Sequence, residues 1–166
     1  TEIRYPKAGQ TNPTMRIGVV KATGGATRWM DIGDNRDMYY PRIYWHSSEQ
    51  LLVMRMRRLQ NRWDLLICNP KSGKKKQGLM EMDENGWVSV HDNYRFLEKD
   101  EVVWISERSG YQHLHRHTLK GEELAQLSDG QWEATRIVHL DEERNVVHFM
   151  ANKASVAESH LYSVSF

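Results

Sequence analysis

Three histidines at alternate positions, His113, His115 and His117, come nearest in this chain to a metal-binding pattern. On a strand, alternate residues face one side, and three imidazole nitrogens can hold Zn²⁺. A straight strand, however, spaces such residues about 6.6 Å apart. All three do not readily reach one ion at about 2.1 Å. The favoured reading makes His113 a hydrogen-bonded strand residue and assigns the chain neither a metal nor any other cofactor. Paired carboxylates occur as Glu122-Glu123 and Glu142-Glu143. Each pair falls in an expected hairpin, where a solvated turn is the ordinary outcome. Serine-hydrolase chemistry requires a nucleophile on a tight Gly-x-Ser-x-Gly elbow beside a His. No such run occurs, and Ser72-Gly73 and Ser109-Gly110 read as turns. No catalytic residue is assigned.

Nucleic-acid binding rests on one stretch. Arg55, Arg57, Arg58, Arg62, Lys71, Lys74, Lys75 and Lys76 stand against a single acid, Asp64, with Trp63 available to stack on a base. Lys74-Lys75-Lys76 follows a turn, and the formal net charge is only +1. No global field draws the chain to a polyanion or a membrane surface, so no nucleic-acid partner is expected. No stretch has the roughly 18 apolar residues of a membrane helix. Cys68 is the only cysteine, so no internal disulfide forms. That fits a reducing compartment, and equally a periplasm. The chain has no signal peptide and does not begin with Met, as expected of a processed or excised segment.

The elements that must position these residues are strands. Met15, Ile17 and Val19 alternate with Arg16 and Gly18 before Gly24-Gly25, and Arg28 to Ile32 follows. Arg42 to Trp45, Leu51 to Met56, Arg62 to Cys68 and Leu79 to Met82 form one complete unit. Its turn at Asn69-Pro70-Lys71-Ser72-Gly73 is strongly marked. Ser48 to Asn61 holds several helix formers. Yet Leu51-Leu52-Val53-Met54 is a continuous apolar run between hairpin-length links, which favours a strand buried on both faces. Tyr94 to Leu97, Val102 to Ile105, Tyr111 to Leu119 and Leu124 to Leu127 repeat the order. Thr135 to Val138, Val146 to Met150 and Leu161 to Val164 begin it again.

Gly86-Trp87-Val88 and Gly130-Gln131-Trp132-Glu133 mark a period of about 45 residues. Four-stranded units at that period are the signature of a β-propeller, which closes with about 4–8 blades. The expectation is an all-β partial propeller of about three blades of four-stranded antiparallel sheet. The units are about 1–34 (partial), 37–83, 87–129 and 132–166 (partial). The six tryptophans, Trp29, Trp45, Trp63, Trp87, Trp104 and Trp132, are expected mostly to fill the faces between sheets. A carbohydrate-stacking surface is the sharper, less favoured alternative.

Five blocks in order resemble the N-terminal β-propeller region of the dipeptidyl peptidase IV family, serine peptidases of the prolyl oligopeptidase type. They are Arg4-Tyr5-Pro6-Lys7-Ala8-Gly9 with Asn12-Pro13; Arg57-Arg58-Leu59-Gln60-Asn61; Gly86-Trp87-Val88; Ser106-Glu107 with Gly110-Tyr111-Gln112-His113; and Gly130-Gln131-Trp132-Glu133. The resemblance covers nearly the whole chain and makes 1–166 a fragment of that domain. It implies a parent with an eight-bladed propeller over a C-terminal α/β-hydrolase domain, which is the segment's first expected partner. Such a parent releases N-terminal dipeptides with proline or alanine second, and its propeller gates and positions the peptide. It also implies an exported parent, periplasmic or at the cell surface. The family's substrate-binding glutamate pair lies N-terminal to the region covered here. After the Gly-Trp-Val block, the family's substrate-reaching arginine is not matched. His91 and Asp92 stand there instead and could line the cavity, although Asp92 also reads as a turn residue.

Three readings follow: a non-catalytic segment of such a peptidase, a stand-alone propeller-type protein-interaction module without hydrolytic activity, and a periplasmic partner-binding propeller of the tolerance-protein type. The segment is also expected to self-associate through uncovered end units. Met15, Ile17, Val19 and Trp29 are expected exposed at one end, and Phe149, Leu161, Tyr162 and Phe166 at the other.

Overall fold

The structure, a computed structural model, describes residues 6–166; Arg4-Tyr5 of the first block lie outside the described residues. Among these, regular structure consists of thirteen strands, and the chain divides into two compact units, one ending at Ser89 and the other beginning at Val90.

In the first unit, β1 (Gly18–Val19) and β2 (Arg28–Trp29) form a two-stranded antiparallel sheet. β3 (Met38–Ser47), β4 (Gln50–Arg57), β5 (Arg62–Cys68) and β6 (Lys75–Met82) form a four-stranded antiparallel sheet in chain order. The run Leu51 to Met54 is a strand, not a helix, and all four residues are buried. Alternate residues of a central strand face opposite sides, so an unbroken apolar run is what burial on both faces demands. Leu51, Val53, Leu66 and Cys68 pack on Ile17, Met30 and Ile32, which joins the small sheet to the large one.

That contact depends on a glycine. Gly73 has φ +77°, and a Cβ there would lie 2.5 Å from the Trp29 carbonyl oxygen. Its own carbonyl accepts from Asp31 N–H (2.7 Å). The Asn69 side chain closes the same turn by accepting from the N–H groups of Lys71 and Ser72.

The second unit repeats the plan. β7 (Tyr94–Leu97), β8 (Glu101–Ser106), β9 (His113–Thr118) and β10 (Glu123–Gln126) pair antiparallel in chain order. β11 (Ala134–Asp141), β12 (Val146–Ala151) and β13 (His160–Ser165) form a three-stranded sheet. The two sheets share a core of Leu97, Val103, Ile105 and Leu114 against Ala134, Ile137, Val147, Phe149 and Ala151. Trp132 covers its rim, stacked on Phe149 and Tyr162.

Several expectations are corrected. Ile17 and Phe149 are buried, not exposed, because each faces the neighbouring sheet of its own unit. Val19, Tyr162 and Phe166 are partly covered by the same cores, whereas Met15, Trp29 and Leu161 are exposed. The strands around Gly24-Gly25 are shorter than their alternation suggests. Met30 and Ile32 reach the core from irregular backbone, with Met30 N–H bonded to the Ile17 carbonyl (2.9 Å). Only Trp63 and Trp104 are fully buried, and Trp132 partly so. Trp45 lies on the edge strand β3, Trp87 on the loop after β6, and Trp29 lies under the Arg16 guanidinium (3.7 Å).

Candidate functional site

β9 carries His113, His115 and His117 on one face, and all three are buried to 1% exposure. They do not act together. His113 Nε2–H donates to the Gly130 carbonyl (2.9 Å) and Nδ1 pairs with Ser128 Oγ (3.1 Å). Ser128 Oγ also accepts from Leu114 N–H (3.0 Å). His113 therefore pins the chain beyond β10 to β9, a hydrogen-bonded structural role.

His115 and His117 belong to a second constellation. The β9–β10 hairpin closes through Thr118, with Gly121 N–H donating to its carbonyl (2.9 Å) and Thr118 N–H to Glu122 O (2.9 Å). This sets Glu123 opposite His117, and a register shift follows between Glu123 and Ala125. A bulge of this kind re-aims side chains. Glu123 Oε1 accepts from His115 Nδ1 (3.1 Å), and that bond is the chief cause lowering the Glu123 pKa below the ordinary carboxyl value. Glu122 and Glu123 are both exposed, as expected of a solvated pair, but Glu123 also anchors His115 from the first position of β10.

Arg108 completes the group. It sits in the turn between β8 and β9, where Ser106 Oγ accepts from its N–H (3.1 Å). Its guanidinium lies over the Trp104 ring (5.1 Å), 3.1 Å from His117 Nε2 and 3.6 Å from Glu123 Oε2. A guanidinium only donates, so Nε2 of His117 must be the unprotonated nitrogen. Burial first, and the Arg108 charge second, push the His117 pKa down to about 4. Trp104 meets the His117 ring edge-on at 5.6 Å. Two neutralising cationic and anionic groups thus flank a buried imidazole that stays neutral at physiological pH.

The signal for Glu123 was in the sequence. Closing the hairpin about Lys120-Gly121 puts residue 123 across from residue 117. Arg108 had no comparable signal, because a turn side chain can point several ways.

His91 is part-buried and engaged with backbone. Its Nδ1 accepts from Asn93 N–H (3.2 Å) and its Nε2–H donates to the Ile105 carbonyl (2.9 Å). Asp92 is exposed, and its carbonyl accepts from Arg95 Nη1 (3.2 Å). Both lie at the entry to β7, well placed to shape that loop. The basic stretch is largely turned onto acids: Arg55 and Arg62 onto buried Asp64 (3.1 and 2.6 Å), Arg58 onto Asp37, Lys71 onto Glu49 and Lys75 onto Asp31. That leaves Arg57, Lys74 and Lys76 as the remainder of the positive run.

The sequence model of the dipeptidyl peptidase IV (DPP IV) N-terminal region matches residues 1–166. The chain belongs to this family. The probable dipeptidyl peptidase 4 of Emericella nidulans is 27% identical over 99% of this chain and 23% of its own length. The inactive dipeptidyl peptidase 10 of Rattus norvegicus is also 27% identical, over 97% of this chain and 22% of its own. The crystal structure of Porphyromonas gingivalis dipeptidyl peptidase 4 superposes with a TM-score of 0.85 at 25% identity, covering 96% of this chain and 23% of that one. A putative dipeptidyl aminopeptidase IV from Bacteroides ovatus has the same fold, with a TM-score of 0.80. The chain spans about a quarter of the length of the relatives it matches. The fold of this DPP IV N-terminal region is all-β, a partial β-propeller whose antiparallel sheets are its blades.

Proposed function

We propose that this chain is the non-catalytic β-propeller segment of a dipeptidyl peptidase IV-like serine exopeptidase that removes X-Pro or X-Ala dipeptides from peptide N-termini. The observation that carries this reading is the family match over the whole chain, joined to about a quarter of each relative. The sequence contains no Gly-x-Ser-x-Gly elbow, so the nucleophile belongs to a hydrolase domain elsewhere in the parent. In this reading the propeller gates and positions the peptide, and His91 and Asp92 line the cavity where the family places an arginine. His91 contributes by fixing the loop through Ile105, and exposed Asp92 offers a carboxylate to a substrate ammonium.

The test is hydrolysis of a chromogenic Gly-Pro substrate. The segment alone is expected to be inert, whereas the full-length parent is expected to turn the substrate over, with a raised KM in Asp92→Asn. Turnover proportional to the amount of segment, after removal of contaminating peptidase, overturns the reading. The second reading, a propeller-type interaction module without hydrolytic activity, is favoured by the inactive dipeptidyl peptidase 10 relative, which is as similar as the probable peptidase. A parent gene that lacks the Gly-x-Ser-x-Gly elbow decides for it.

A further inference from the structure

His115, His117 and Glu123 each offer one donor atom, and these atoms all lie within 4.8 Å of one another. Donors bound to one tetrahedral zinc ion at about 2.1 Å are about 3.4 Å apart. Closure around an ion therefore needs the widest pair to contract by up to about 1.4 Å, within reach of side-chain rotations. The arrangement has the right construction for this. Two imidazoles alternate along one strand and share a face. The third donor comes from the adjacent strand at the register position opposite His117. Spacing along β9 alone keeps three histidines from one ion, but replacing the third by a cross-strand partner removes that obstacle.

The donor set is specific in chemistry. Two nitrogens and one carboxylate oxygen suit zinc, cobalt, nickel or copper rather than calcium or magnesium, which take oxygen shells. The imidazoles are 1% exposed while the Glu123 side chain is 43% exposed, so the group opens to solvent at the carboxylate. His117 Nε2, unprotonated as its contact with the Arg108 guanidinium requires, presents its lone pair to a cation.

A positive charge already occupies this position. The Arg108 guanidinium contacts His117 Nε2 and approaches Glu123, held over Trp104 by its ring face. Arg108 enters from a turn, Glu107 to Gly110, so its side chain can swing outward without disturbing a strand. We propose that His115, His117 and Glu123 form a binding site for a divalent transition metal of the zinc class, and that Arg108 is the resident cation such an ion displaces. The site is independent of the peptidase reading, because it uses neither His91 nor Asp92.

The experiment is zinc titration of the chelator-stripped 166-residue protein against a zinc-binding indicator. Wild type is expected to bind one equivalent weakly. Arg108→Ala is expected to bind at least tenfold more tightly, since the competitor is gone. In that background His115→Ala, His117→Ala or Glu123→Gln is expected to weaken binding at least tenfold. Glu123→Gln keeps size and surface position, so it reports even if a histidine variant fails to fold. Cobalt added to Arg108→Ala is expected to give the intense visible bands of a four-coordinate ion. Removing the cross-strand surface pair with His139→Ala and His148→Ala is expected to change nothing. Zinc affinity that is unaltered by Arg108→Ala, or that follows His139 and His148 instead, overturns the proposal.

Discussion

His117 concentrates most of the unusual chemistry of the chain in one ring. In metal-free protein its folded pKa of about 4 lies below the ordinary 6.5. Between those values the unfolded chain binds more protons than the folded one, so stability is lost as pH falls through that window and levels off below it. The loss is on the order of 3 kcal/mol for a shift of this size. Glu123 acts in the same direction at lower pH. Its pKa is depressed by the His115 hydrogen bond, so its contribution is present above 4.5 and disappears as the carboxylate protonates. Urea unfolding of chelator-treated protein from about pH 7 to about pH 4 is expected to show this decline, flattened in His117→Gln. Equal slopes in the two proteins contradict the assignment. The His-x-His spacing was legible from residues alone, and so was the separate fate of His113. The position of Arg108 was not, because it depends on the turn geometry at Ser106 and on the Trp104 face beneath it.

At the scale of the strand and the turn, reading was easiest where burial is strongest. Leu51 to Met54 favoured a strand over a helix because a surface helix does not hide four successive apolar residues, and the hairpin-length links on either side weighed the same way. Arg62–Cys68 and Tyr94–Leu97 begin and end where their patterns do. Legibility failed where a strand borders another sheet or solvent. Met30 and Ile32 are core residues without ladder partners, and Trp45 sits on an edge, so neither follows from alternation. Turn chemistry was marked, yet which turns touch another element was not. Gly73 distinguishes the two cases. Its Ala variant combines a positive φ with a backbone clash at the Trp29 carbonyl, and is expected to cost about 2–3 kcal/mol. Gly110→Ala has a positive φ but nothing within 4 Å, and is expected to cost about 1 kcal/mol. Paired thermal melts check the order, and equal losses at the two sites refute the role given to the Gly73 contact.

For the whole molecule, apolar exposure is uneven. Leu161 on β13 is 61% exposed, Trp29 is 47% exposed, and β13 is an edge strand paired on one side. Edge strands and bare apolar faces invite association. The 166-residue chain is therefore expected to self-associate as its concentration rises, by contacts that need not reproduce the parent's assembly. Light scattering across a dilution series checks this, and Leu161→Lys is expected to shift the equilibrium toward monomer. A monomer persisting into the millimolar range contradicts it. In each sheet, every strand pairs only with its predecessor or successor in the chain. On a ribosome, which releases about 5–20 residues each second, this order has a consequence. The β3–β6 sheet has all its partners once Met82 has cleared the exit tunnel, and the β7–β10 sheet once Gln126 has. Local pairing of this kind keeps loop-closure entropy low. A nascent chain can thus seal one sheet before the next is synthesised, leaving little unpaired strand for its neighbours on the same message to capture.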